Sequence, residues 1–225
     1  MCETPFPSVP AGHKALFNEV RRLYHLAGRK YQGHVALVQA ALLLSHWSPY
    51  DNSTEVNNFW ADEAFHHATI GRLHDSQQSY HRVIWWCCIV RNRVLSLALR
   101  RPHKLRRYES GPMITLADFN HRRFPNGTRL KQRRFRAAEI FISLCKLSMV
   151  MNKIVLMRHP GIRWDDWRAD QRLDSAHIDL DNIASTDQMM TSWSHGFECT
   201  VARMDDPKLD RHLRVSIHTL RIVAL

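Results

Sequence analysis

The chain has 225 residues and a formal net charge of +11, with 44% hydrophobic and 24% charged residues. That composition excludes a disordered chain and allows a sizeable buried core. Only 8 glycines and 9 prolines occur, too few for the frequent turns of a sheet protein, so helices are expected.

Residues 1–13, MCETPFPSVPAGH, read as a disordered start, and the folded domain is expected over 14–225. This opening has neither the basic start nor the apolar core of a signal peptide, which favours an intracellular protein. From Ala15 to Leu26, Leu16, Val20, Leu23 and Leu26 recur at three- and four-residue steps, the stripe of an amphipathic helix. Residues 35–47 (VALVQAALLLSHW) are apolar almost all round, as in a buried helix, and the polar SPYDNSTEVNN that follows is a loop. Phe59 to Leu73 makes a third helix, with Trp60, Ala64 and Ala68 in one row and Ala61 and Phe65 in the next.

Residues 81–102 read HRVIWWCCIVRNRVLSLALRRP. The eight apolar residues from Val83 to Val90 suit either a buried strand or a helix. The pattern continues through Val94, Leu97 and Ala98 at helical spacing, and that length decides for a helix, with Ser79 as its cap. Two tryptophans bring large contact area to this helix, and the adjacent cysteines fill tight spaces between neighbours. Arg91 and Arg93 are expected where the helix reaches polar surroundings, snorkelling or paired with Asp62, Glu63 or Asp75.

The charge is concentrated beyond this helix. Residues 100–136 hold 12 Lys/Arg against 2 Asp/Glu, whereas 1–99 hold 9 against 7 and 137–225 hold 11 against 12. Within this stretch Arg106, Arg107, Arg122, Arg123, Lys131, Arg133, Arg134 and Arg136 form a candidate patch for phosphate or an acidic partner. The patch lacks the interleaved aromatics of a nucleic-acid reader, and its plain alternative is a solvated loop.

Residues 130–157 form the longest helix, with Ala137, Phe141, Leu144, Ser148, Met151 and Val155 as its buried stripe and Pro160-Gly161 as its stop. The acidic tract WDDWRADQRLDS is amphipathic, and 181–203 and 207–225 read as two further helices. The fold expected is therefore all-α, a single irregular domain of about eight helices, truncated at both ends, its C-terminal stripe having no cap.

Chemistry leaves little trace. The five cysteines are odd in number and two are adjacent, which suits buried free thiols rather than a disulfide framework. His67, His74 and His81 fall seven apart but are interrupted by Gly71 and a polar run, and His177, Asp179 and Asp181 imply no fourth ligand. No Gly-rich phosphate loop, Gly-x-Ser-x-Gly, His-Glu-x-x-His or Cys-x-x-Cys occurs. No catalytic residue, metal ligand or membrane segment is assigned, and an enzyme is not expected.

The same residues carry a likeness. WWCCIVRNRVLSLALRRP resembles the most recognisable helix of the fungal-specific transcription factor domain, also called the middle homology region. There an aromatic pair leads into Arg-x-Arg and then Ser-Leu-x-x-x-Arg-Pro. Here these are Trp85 and Trp86, Arg91 and Arg93, Ser96 and Leu97, and Arg101 and Pro102. Upstream, QAALLLSHWSP is similar to that family's Gln-Ala-x-Leu-Leu-Leu-Ser helix at Gln39, Ala40 and Leu42 to Ser45, and FWADEAFHHATIGRLHDS to the next helix, with its turn at Gly71, Arg72, Leu73 and His74. The likeness is strongest over 35–108 and nearest to the cutinase-regulator branch.

The resemblance implies a regulatory domain of a nuclear transcription factor. Such a domain controls RNA polymerase II transcription by binding an effector, the transcription machinery or co-regulator proteins. In that family DNA is bound by a separate zinc cluster with six cysteines in a Cys-x-x-Cys-x6-Cys type of pattern. That pattern does not occur in this sequence, so DNA binding would be indirect or need a missing domain. Zinc would be a cofactor only of a missing N-terminal cluster, with none in this chain. The alternative is a stand-alone interaction or dimerisation module, pairing as a homodimer through the 130–157 helix.

Overall fold

The computed structural model describes residues 9–30, 33–47, 55–102, 111–119, 129–158, 180–204 and 211–224. Among these the structure is all-α: α1 (Val9–Lys30), α2 (His34–Leu44), α3 (Glu55–Ile70), α4 (Ser79–Ala98), a 3-10 turn at Leu116–Phe119, α5 (Arg129–Arg158), α6 (Leu180–Arg203) and α7 (Arg211–Ala224). The expected helices appear in order, with boundaries shifted by a few residues. The acidic tract around 164–175 lies outside the described residues. Residues 9–13, expected in a disordered start, are the first turns of α1. Contacts gather into two compact units, Met1–Asp75 and Ser76–Leu225, where the sequence reads as one body.

In the first unit, α2 and α3 pack face to face because the contact is made of small residues. Ala41, Ala64 and Ala68 are fully buried and Ala61 nearly so, which lets the backbones approach closely. Trp60 fills the space beside them, edge-on to Tyr24 at 5.0 Å and to Phe17 at 6.4 Å. The stripe of α1 is therefore not the one its leucines suggest. Leu16, Leu23 and Leu26 stand 63%, 51% and 45% exposed, while Tyr24 is buried. Aromatic contact with Trp60 turns the helix toward Phe17 and Tyr24, whose ring geometry rewards edge-to-face packing beyond simple area.

Two helices stop in the same way. After α3, the Arg72 N–H donates to the Thr69 carbonyl and the Leu73 N–H to the Ala68 carbonyl, both at 2.9 Å. After α4, the Arg100 N–H donates to the Leu97 carbonyl at 3.2 Å and the Arg101 N–H to the Ser96 carbonyl at 2.8 Å. These are paired Schellman bonds, with Arg72 (φ 50°) and Arg100 (φ 52°) in the left-handed position that glycine usually takes. The Gly-Arg-Leu-His and Arg-Arg-Pro segments thus act as chain terminators, each followed by a buried anchor, Leu73 or Pro102. Gly71 sits in the first of these turns because a Cβ there would fall 3.0 Å from His34 Cβ and 3.1 Å from the His67 carbonyl.

In the second unit α5 is central, touched by α4, the 3-10 turn, α6 and α7. It therefore buries more than the single stripe expected. Ala138, Ile140, Cys145, Leu147 and Val150 are buried beside Ser148, Met151 and Val155, while Ala137 is exposed. The segment Lys131–Met157 is long and apolar enough to cross a membrane by length and composition alone. Packing on several sides gives a core helix the same composition. Ile140, Leu147 and Met151 join Trp193 and Phe197 of α6, Met204, and Leu213, Ile217 and Leu220 of α7 in one cluster, with Val94 and Leu97 of α4 against it. Trp193 and Phe197 stack at 5.0 Å and 10°.

Candidate functional site

The signature helix α4 is buried as its apolar run requires. Trp85, Trp86, Cys88 and Ile89 are at most 2% exposed, and the Trp86 indole N–H donates to the Pro112 carbonyl at 3.1 Å. The helix begins at Ser79, with Gln78 in the cap position, so Ser79 is not the cap. No side chain caps the helix; the Ser76 hydroxyl accepts from the Gln78 N–H at 3.2 Å and meets His81 Nδ1 at 2.8 Å in the turn that leads into it. Burial raises the Cys87 thiol to about 11 and pushes those of Cys88 and Cys145 well above the ordinary thiol value. All three therefore stay protonated at neutral pH and act as packing groups.

Arg93 diverges from expectation. Arg93 does not mark a polar surface; it is 7% exposed and points from α4 into α5. Its Nη1 donates to Ser148 Oγ at 3.2 Å and approaches Met149 Sδ at 3.1 Å. Burial depresses its pKa to about 10. Arg91 is half-buried, and burial lowers its pKa as well. Of the three acids expected as partners, Glu63 accepts from the Tyr24 hydroxyl at 3.3 Å and Asp75 from Arg72 at 3.1 Å. Ser96 is buried and directs its hydroxyl toward the Pro102 carbonyl at 3.4 Å; Leu97 and Arg101 are half-buried, and Pro102 is buried. The signature is thus one packed unit, a helix with its stop, rather than a set of converging reactive groups.

Of the basic patch, Lys131, Arg133 and Arg134 are exposed and Arg136 is half-buried on the first turns of α5. Arg106, Arg107, Arg122 and Arg123 lie outside the described residues. The first turn of α5 carries no acidic residue, so the helix dipole and the side chains present the same sign there. This makes the described start of α5 electropositive.

One grouping was invisible in the sequence. His34 on α2 and His67 on α3 place their Nδ1 atoms 3.3 Å apart. His66 on α3 and Tyr24 on α1 lie against His67, with ring centroids at 5.3 and 5.9 Å. The two histidines stand 33 positions apart and only the α2–α3 crossing joins them. Among the described residues no group of three or more His, Cys, Asp or Glu is arranged to hold a metal ion. The pair bonds only while one Nδ1 carries a proton and the other does not. Burial, then the His66 charge, lowers the His67 pKa; Glu63 opposes them, and His34 adds to the lowering.

The folded first unit therefore binds a proton at His67 less readily than the unfolded chain. Its stability is full above the ordinary histidine value of about 6.5 and falls as the pH drops through that value toward the lower folded one. Urea midpoints measured across this range should decline on acidification, and His67→Asn should flatten the decline. An unchanged slope in that variant would show the pair to be inert.

The chain is related over about half its length to fungal proteins named transcription factors. It is 32% identical over 126 residues, 51% of the chain, to a protein named transcription factor from Fusarium pseudograminearum. It is 31% identical over 121 residues, 48% of the chain, to cutinase transcription factor 1 beta from Fusarium vanettenii. The matches cover only 14% and 13% of the length of those proteins. No family model matches, and no solved structure matches.

Proposed function

We propose that this chain is a regulatory domain of a fungal nuclear transcription factor, a middle homology region that controls RNA polymerase II transcription by binding an effector or a co-regulator. The observation that carries this reading is the half-chain identity to proteins named transcription factors, together with an all-α core built on the Trp-Trp, Arg-x-Arg helix. In this reading the domain catalyses nothing. DNA contact belongs to a separate zinc cluster, and the domain biases a two-state arrangement of helices on which effector and partner both act. Deleting the corresponding segment from a full-length factor should change reporter output in a fungal host. Unchanged output at normal protein levels would refute it.

A further inference from the structure

Between α5 and α6 runs a groove of about 540 Å³, within the roughly 300–1,000 Å³ of small-molecule sites. Trp193 and Phe197 close its floor, and Val150 and Met189 line its apolar part. The indole N–H of Trp193 is already spent on the Ser143 carbonyl at 2.8 Å, so the floor offers no donor. The free polar groups lie elsewhere. Lys146 is exposed on the wall, and among the described residues no acid pairs with it. Gln188 and Ser192 line the groove from α6, likewise without described partners. Two turns further along α5, Lys153 bonds Ser185 of the lining. No carboxylate is among the lining residues.

We infer that this groove binds a small organic carboxylate with an apolar, aromatic-sized body. The ammonium of Lys146 and the neutral donors of Gln188 and Ser192 would hold the carboxylate, and the body would lie along Met189 and Val150 above the aromatic floor. A phosphate carries more charge than the single lining lysine matches and has no apolar body to lie on the aromatic floor. The inference deepens the proposed regulatory role by giving the effector a place and a chemistry.

The test uses the whole chain with 2-naphthoate as the probe and 2-naphthalenemethanol as its uncharged counterpart, titrated by calorimetry. Naphthoate should bind with a Kd below about 1 mM and the alcohol about tenfold more weakly. Lys146→Gln should bring naphthoate to the level of the alcohol. Gly196→Trp should abolish binding without loss of helicity, because a Cβ there meets no atom within 4 Å and the ring can enter the groove. If that variant does not fold, Lys146→Glu, an exposed substitution, carries the test. No saturable binding, or equal binding by the native chain and the Lys146 variants, would overturn the inference. Both results are read on the isolated chain. A reporter that ignores the domain would defeat the regulatory role while leaving the binding result standing.

Discussion

Trp86→Ala should destabilise the Ser76–Leu225 unit by roughly 3–5 kcal/mol, a large fraction of the 5–15 kcal/mol that holds a domain of this size together. The side chain is 1% exposed, and its indole N–H satisfies the Pro112 carbonyl. Truncation therefore leaves a cavity where α4 meets the 111–119 segment and removes the donor to the Pro112 carbonyl as well. Trp86→Phe retains most of the buried ring and loses only the N–H, so it should cost about 1–2 kcal/mol. Tyr80→Ala, at 45% exposure on the same helix, should stay within about 0.5 kcal/mol of the native chain. Urea denaturation followed by far-ultraviolet circular dichroism gives all three values. A Trp86→Ala loss under about 1 kcal/mol would mean that α4 is not the spine of this unit.

Helix positions were legible because apolar periodicity and length suffice to separate a 20-residue helix from a strand, as at Ser79–Ala98. Which face is buried was less so. In α1 the leucines at 16, 23 and 26 outvote Phe17 and Tyr24 on any hydrophobicity scale. The partner Trp60, however, selects aromatics by ring geometry, and no local pattern reports a partner. In α5 a single stripe was expected and several faces are covered, because a central helix meets neighbours on more than one side. Cysteines in an apolar run read as packing groups, since burial is the largest influence on their chemistry. The His34–His67 pair and the Lys146, Gln188 and Ser192 groove depend on how two helices cross, which spacing along the chain does not encode.

Arg93 is where the expectation from sequence fails most sharply, and its replacement is the second large effect. Arg93→Ala should cost about 2–4 kcal/mol, because it removes a long buried stem from between α4 and α5. Arg93→Met should instead match or exceed the native stability. The folded pKa of about 10 lies below the ordinary arginine value, with burial as its main cause. Between those two values the unfolded chain binds more protons, so stability rises with pH there. At neutral pH, below both, the charge exerts its full burial penalty, on the order of a few kcal/mol. Methionine has a similar reach without that penalty, and Ser148 keeps its bond to the Cys145 carbonyl at 2.7 Å when the guanidinium is gone. Arg93→Lys retains the charge and loses the fork, so it should fall below both. A Met variant less stable than native by more than about 2 kcal/mol would show that guanidinium hydrogen bonding outweighs desolvation. If the Met variant is stable but a factor carrying it gives altered reporter output, the interior cation in the Arg-x-Arg segment serves the regulated state of the α4–α5 contact rather than its stability.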